Sequence, residues 1–307
     1  MKKKILVIGS MNVDMVVKSE RIPHAGETIL GGVFNQFYGG KGANQAAAAK
    51  TLFAKTSFCS CCGKDTIGDA YVKYLKGRKI DVSLVKRDAK NHTGVALITL
   101  DKTGENVITV ASGANMSLKP ADLDKIDFSE FSYAAFQLEI DMKTVAEGLK
   151  RAKRAKCATI LTPAPARKLP DAVLKNVDFL VPNQHEILLV QEGFKDPIKA
   201  AQKLLERGVK NVIITLGAKG CMLVNADGVF GFGTYKTKRV DTVGAGDCFT
   251  GSLMAGLERF GGDVAKAITF ATAAASLAIT KSGAQNFGTE KEVLKLAAKP
   301  LPIAKLA

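Results

Sequence analysis

Short apolar runs separated by helical patterns recur along this chain, at Ile5-Leu6-Val7-Ile8, Ala134-Phe136, Thr159-Leu161, Phe179-Val181 and Val212-Thr215. Runs of this length belong to strands covered on both faces, and the intervening helices supply the cover. The pattern predicts an α/β fold with a central, mostly parallel sheet flanked by helices. Sheets of this kind place ligand sites beyond the carboxyl ends of their strands. Asn12, Glu139, Thr162, Asn183 and Gly217 lie just after such runs.

Two stretches break the alternation. Residues about 14–38 and 94–110 read as antiparallel strands outside the central sheet, the second pair turning at Asp101-Lys-Thr-Gly104. We expect them to form a small antiparallel β lid over a cleft, with an outer face able to pair with a second copy. At 307 residues the chain suits one large α/β domain spanning residues 1–307 with this lid as its appendage. From about residue 263 the pattern is helical to near the end.

Hydrophobic residues make up 47% and charged residues 24% of the chain, which excludes disordered and collagen-like classes. The longest apolar run, Phe270 to Ile279, is far short of the roughly 20 residues that cross a bilayer. Met-Lys-Lys-Lys at the start leads into an apolar stretch that stops at Gly9, so it reads as the first strand of a cytoplasmic protein. Of six cysteines, Cys59 and Cys62 have C-x-x-C spacing, but no second pair completes a tetrahedral site, and all six read as reduced, packed thiols. The net charge of +15 raises nucleic-acid binding, yet the basic residues are scattered. The Lys150–Lys156 cluster ends a helical pattern, where cations favour the helix dipole. No nucleic acid and no membrane are expected as partners. His24, His92 and His185 show no metal-ligand spacing.

Two glycine-rich segments carry the chemistry. In Val240-Asp-Thr-Val-Gly-Ala-Gly-Asp-Cys-Phe249, Gly244, Ala245 and Gly246 let the backbone approach a ligand closely, and the helix that follows would aim free amides at an anion. Asp247 stands in its first turn, placed to accept a proton from an attacking hydroxyl; Asp is also simply a good residue for a helix start. Gly39-Gly-Lys-Gly-Ala-Asn-Gln-Ala46 leads into an alanine-rich helix with a polar rim and the amide of Asn44 exposed. It is no Walker A loop, since Lys41 is followed by Gly42, and no dinucleotide fingerprint follows the first strand.

These segments identify a resemblance to the ribokinase/PfkB carbohydrate kinase family, running from Gly9-Ser-Met-Asn-Val-Asp14 to Lys281-Ser-Gly-Ala-Gln285. Thr93-Gly-Val-Ala96, Gly113-Ala-Asn115 and Pro163-Ala-Pro-Ala-Arg167 resemble the members that act on ribose. The resemblance implies ATP-dependent phosphorylation of D-ribose at its 5-hydroxyl, with another small sugar or a nucleoside as alternative acceptor, or a non-catalytic sugar-binding protein. It also implies Mg²⁺, an activating K⁺ and a homodimer through the lid.

By the resemblance, Asn12, Asp14, Gly40, Lys41, Gly42, Ala43, Asn44 and Glu139 hold the sugar, and Asp247 is the base, beside an anion hole at Gly244, Ala245 and Gly246. Read alone, Asn12 and Asp14 serve as turn residues and Glu139 as a helix-start carboxylate. Asn183-Gln-His-Glu186 resembles the motif that organises Mg²⁺ and phosphate, Glu186 acting through water; alone it is an ordinary helix start. Thr215, Gly217 and Gly220, within Thr215-Leu-Gly-Ala-Lys-Gly220, together with Thr272, are implied for the nucleotide, against a plain glycine turn. Asp241 and the carbonyls of Val243, Ala278, Lys281 and Gly283 match a monovalent-cation loop. Two positions depart from the family: Asn286-Phe287 stands where a Ser hydroxyl usually follows Gly-Ala-Gln, and Thr162 stands where Asn usually precedes Pro-Ala-Pro-Ala-Arg.

Overall fold

The computed structural model describes residues 4–52 and 55–306; the charged start at residues 1–3 lies outside them. In chain order the strands are β1 (Lys4–Ile8), β2 (Asn12–Lys18), β3 (Val33–Gly39), β4 (Thr56–Gly63), β5 (Val85–Asp88), β6 (Gly94–Leu100), β7 (Asn106–Ala111), β8 (Phe131–Phe136), β9 (Ala158–Leu161), β10 (Phe179–Leu180), β11 (Asn211–Thr215), β12 (Cys221–Asn225), β13 (Gly228–Phe232) and β14 (Ile303–Lys305). The helices are α1 (Lys41–Thr51), α2 (Thr66–Gly77), α3 (Met142–Arg154), α4 (Asp171–Leu174), α5 (Glu186–Val190), α6 (Pro197–Glu206), α7 (Ala245–Arg259), α8 (Val264–Ala278) and α9 (Glu290–Ala297).

The large sheet runs β14-β13-β12-β11-β10-β9-β8-β1-β4-β5. From β11 to β5 every pairing is parallel, and β12, β13 and β14 add antiparallel strands at one edge. Alternation along β1 shows how both faces are buried. Ile5 and Val7 pack into a layer with Ala43 and Ala46 of α1, Leu253 of α7 and Ile268 of α8. Leu6 and Ile8 enter the opposite layer with Leu149 of α3 and Leu204 of α6. Each expected apolar run lies on or within a residue of a strand. β4 is buried along its whole length and carries Cys59, Cys61 and Cys62; all six cysteines are buried and none is in a disulfide. No described helix is long and apolar enough to cross a membrane.

The second sheet runs β3-β2-β6-β7. Its outer pairs are antiparallel as expected, but the central pair is parallel, with Asn12 opposite Gly94, so the two segments join side by side rather than as one meander. Residues 19–32, within the expected lid, hold no strand. The helical reading from 263 onward also needs correcting: after α8 the chain makes an irregular turn over residues 279–289, and β14 pairs with β13 after α9.

Helix α1 lies directly against α7. A Cβ on Gly251 would stand 2.4 Å from the carbonyl oxygen of Gln45, so only glycine permits this approach. The close crossing brings Asn44 and Gln45 over the first turn of α7, where Asp247 stands.

Candidate active site

Asp247 is 7% exposed, and each of its carboxylate oxygens receives one amide. Asn44 Nδ2 donates to Oδ2 at 3.0 Å and Gln45 Nε2 to Oδ1 at 3.1 Å. Burial pushes the Asp247 carboxyl up from its usual value, with Glu139 adding to the rise, while the Lys41 ammonium and the two amides oppose it. Gln45 Nε2 also donates to Thr162 Oγ1 at 3.2 Å, and that hydroxyl lies 3.2 Å from Thr250 Oγ1. The unusual Thr162 thus touches the amide that holds the carboxylate. Cys248, next in sequence, is a buried thiol pushed up to about 12, which keeps it protonated.

Gly244 begins α7 with φ +75°, a left-handed conformation that lets the chain turn sharply into the helix. The Ala245 amide donates back to the Thr242 carbonyl at 3.2 Å and the Cys248 amide to the Gly244 carbonyl at 2.8 Å. The amides of Gly244, Gly246 and Asp247 make no hydrogen bond to described residues. Of the four amides from Gly244 to Asp247, three are therefore free, and that of Ala245 is turned inward. These amides border a cleft of about 200 Å³ lined also by Lys41, Thr162, Asn183, Glu186 and Thr215. A helix N-terminus with free amides beside a lysine suits a phosphate.

A second cleft, of about 500 Å³, lies between the small sheet and the carboxyl edge of the large one. Asn12, Asn115 and Glu139 line it, with Val110, Met116 and Ile140. Asn115 fixes Asn12: its Nδ2 donates to Asn12 Oδ1 at 2.7 Å, and its Oδ1 accepts from the Met11 amide at 2.9 Å. Glu139 Oε2 accepts from Ser10 Oγ and from the Lys41 amide at 3.1 Å, so the carboxylate sits on the N-terminus of α1. The Gly42 amide reaches Ser10 Oγ at 3.4 Å and the Ala43 amide the Ser10 carbonyl at 2.9 Å. Gly40, Gly42 and Ala43 thus shape the start of α1 around Ser10.

The field at this junction is strongly negative. Burial drives the Asp14 carboxyl up to about 7, helped by Glu139 and Asp247 and opposed by Lys41. The same carboxylates, Asp247 foremost, push the Lys41 ammonium up from its usual value. Glu186 adds to this pull on Lys41, which lines the cleft beside the free amides of α7 rather than the cleft of Asn12.

Two expectations change here, at Asn44 and Thr272. Asn44 is buried, and its amide is committed to Asp247 on one side and to Gln285 on the other, so it is not an exposed rim group. Asn183 and Glu186 cap each other: the Asn183 side chain accepts from the His185 and Glu186 amides at 2.8 Å, and Glu186 Oε2 accepts from the Asn183 amide at 2.8 Å. The helix-start reading holds, and Glu186 also lines the cleft. Thr272 is buried in α8 and does not line the cleft. Thr215 closes β11 with its amide on the Pro182 carbonyl at 2.9 Å, and Gly217 and Gly220 follow in a single turn.

The matching loop beside α7 is joined by Asp241, whose Oδ1 accepts from the Val243 amide and Oδ2 from the Gly283 amide, both at 2.9 Å. The Ala278 and Gly283 carbonyls each accept one backbone amide. Phe287 brings no hydroxyl; its carbonyl accepts from Lys281 Nζ at 3.0 Å.

The pfkB family carbohydrate kinase profile matches residues 2–292. This chain belongs to that family. The bifunctional ribokinase/ribose-5-phosphate isomerase A of Fructilactobacillus sanfranciscensis is 39% identical over 95% of the chain, and the chain spans 55% of that longer protein. The ribokinase of Staphylococcus aureus is 35% identical, with 93% of this chain and 96% of that protein covered. The structure of Arabidopsis thaliana ribokinase complexed with ribose and ATP superposes with a TM-score of 0.90 at 31% identity, covering 98% of this chain and all of that one. The family resemblance read in the glycine-rich segments is thereby borne out, as is the fold. Among pfkB kinases, then, this member carries its buried aspartate on a helix start shared with three free amides.

Asp14 yields a test of the acceptor side. Its carboxyl is pushed up to about 7, so the carboxylate, the form able to accept from a hydroxyl, predominates only above that pH. In the free enzyme, kcat/KM for the sugar should therefore fall on the acid side of about pH 7, and Asp14→Asn should remove that limb while raising KM. A limb that persists in Asp14→Asn would assign it elsewhere.

Proposed function

We propose that this protein transfers the γ-phosphoryl group of ATP to the 5-hydroxyl of D-ribose, giving ribose 5-phosphate. The observation that carries the reading is the first turn of α7, where a buried carboxylate and three free amides stand side by side. Ribose occupies the cleft between the two sheets, its hydroxyls meeting Asn12, Asp14 and Glu139. Asp247 takes the proton of the 5-hydroxyl as that oxygen bonds to the γ-phosphorus and the bond to the β-phosphate oxygen breaks. The amides of Gly244, Gly246 and Asp247, with the Lys41 ammonium that lines the same cleft, meet the charge that develops. ATP lies along Asn183, Thr215, Gly217 and Gly220. The small sheet acts as a lid whose closure excludes water, and the whole chain works as one unit.

Mg²⁺ fits the residues present: Glu186 lines the phosphate side and Oε1 carries no protein hydrogen bond. It would hold the ion through water, and the ion would neutralise phosphate charge. The loop at Asp241 fits K⁺ in chemistry, offering one carboxylate and the carbonyls of Val243, Ala278, Lys281 and Gly283. Phe287 supplies no sixth donor. A homodimer through the lid is supported by the exposed Val33, Phe34, Leu97, Val107 and Ile108 on the small sheet. Six buried cysteines outside any disulfide suit a cytoplasmic location.

The deciding assay is ADP release from Mg·ATP with ribose, deoxyribose, fructose, fructose phosphates and adenosine, each in K⁺ or Na⁺. Ribose should be turned over fastest, and faster in K⁺. Preference for another acceptor would move the error to the sugar contacts, equal rates in both salts would remove the cation, and a monomer in sedimentation would remove the dimer.

A further inference from the structure

Both oxygens of the Asp247 carboxylate are held by the same two-step device. Asn44 donates to Oδ2, and its own carbonyl accepts from Gln285 Nε2 at 3.0 Å. Gln45 donates to Oδ1, and its own carbonyl accepts from Gln137 Nε2 at 2.6 Å. A primary amide turned end for end keeps its shape but exchanges donor for acceptor. Turned over, Asn44 or Gln45 would set a carbonyl oxygen against the carboxylate, an arrangement only a protonated Asp247 could satisfy.

The outer glutamines oppose that reversal by giving their own Nε2 to the inner carbonyls, and they do so at their own expense. Gln137 Oε1 and Gln285 Oε1 are buried without a hydrogen-bond partner, although buried polar atoms are nearly always satisfied. The two unsatisfied acceptors lie at the far ends of the two relays, while every group next to the carboxylate is satisfied. Gln285 is further fixed by donating to Tyr71 OH at 2.9 Å, and Tyr71 OH donates to the Gly39 carbonyl at 2.6 Å.

We propose that Gln137 and Gln285 are positioning residues that lock the Asn44 and Gln45 amides with their NH2 groups toward Asp247, keeping its carboxylate ionised and aimed at the acceptor hydroxyl. This rests on Asp247 serving as the base. Burial alone pushes Asp247 toward its neutral form, so the two donors work against a standing bias. The other groups bearing on Asp247 are Lys41 of α1, which favours its charge, Glu139 after β8 and Asp14 of β2, which oppose it, and the thiol of Cys248. Glu186 of α5 acts on Lys41. None of these is altered by changing either glutamine.

Gln137→Met and Gln285→Met keep side-chain length and remove the donor. The Asp247 carboxyl is titrated by ¹³C NMR in the ligand-free protein, with Asp247→Asn assigning the resonance, and kcat is followed over the same pH range. In each variant the carboxyl should titrate about one pH unit higher, roughly tenfold in proton affinity. The acid limb of kcat should move with it, so that turnover lost at low pH returns at high pH, while KM for the sugar stays within about twofold. A packing defect would instead lower kcat equally at all pH values. An unchanged titration of Asp247 in both folded variants overturns the proposal. Where a Met variant does not fold, Gln137→Asn or Gln285→Asn, an amide too short to reach, takes its place with the same expected shift. Failure of wild-type turnover with every acceptor would refute the kinase reading, and the NMR titration would still decide this one.

Discussion

Asp247→Asn should lower kcat by about 10³-fold or more while the protein still binds its sugar and still folds. General-base catalysis is worth about 10²–10⁴-fold, and here the same side chain is also the group that Asn44 and Gln45 are arranged around. The asparagine has nearly the same shape but cannot take a proton, and it presents an NH2 to one of two amides that already donate. Folding should not suffer in proportion, because the substitution removes a buried charge whose desolvation opposes the native state. Steady-state kinetics and a thermal melt check both halves; kcat within tenfold of wild type would remove Asp247 from the role.

The second large effect is expected at Gly244→Ala. The native φ of +75° costs an L-residue about 1–2 kcal/mol, and the new Cβ would stand 2.7 Å from the Ala284 carbonyl oxygen. Something must shift, and both candidates matter: the turn that aims the Gly244, Gly246 and Asp247 amides, or the segment at Ala284 that carries Gln285. Loss of aligned oxyanion donors is worth about 10²–10³-fold in related chemistry. We expect kcat/KM for ATP to fall about 10²-fold, with a lower melting temperature and little change in sugar affinity. A variant with normal kinetics and a lowered melting temperature would mean that the turn serves stability alone.

The chain order of the fold was readable because its causes are local. Ile5 to Ile8 and Val212 to Thr215 are short, apolar and β-rich, and a strand buried on both faces tolerates little else. Gly244 and Asp247 were legible as a helix start for the same reason: the turn needs a residue free to adopt positive φ, and its first turn favours an acid. The resemblance then assigned roles that periodicity could not.

Other positions were misread where a single residue serves two masters. Asn44 looked like a rim group because it follows Gly42 and Ala43 at a helix start; the crossing at Gly251 turns it inward onto Asp247. Asn183 and Glu186, by contrast, read by themselves as a helix start, and they form its capping pair. Gln45, Gln137, Gln285, Asn115 and Ser10 were passed over as site residues. Gln137 directly follows the run ending at Phe136, at the carboxyl end of a strand where ligand sites lie, so its signal was present. Nothing in sequence marks Gln285 as a partner of Asn44, 241 positions away.

The sequence by itself therefore determined the layered α/β architecture, the family and the identity of the aspartate, since each follows from spacing within a few residues of chain. Only the tertiary structure decided which amides face that aspartate, that Lys41 stands beside the free amides of α7, and that burial pushes the Asp14 carboxyl up to about 7. Those properties depend on burial and on charges from β2, α1, β8 and α7 converging at one point, and electrostatics in a dry interior is set by distances through space, which no local pattern encodes.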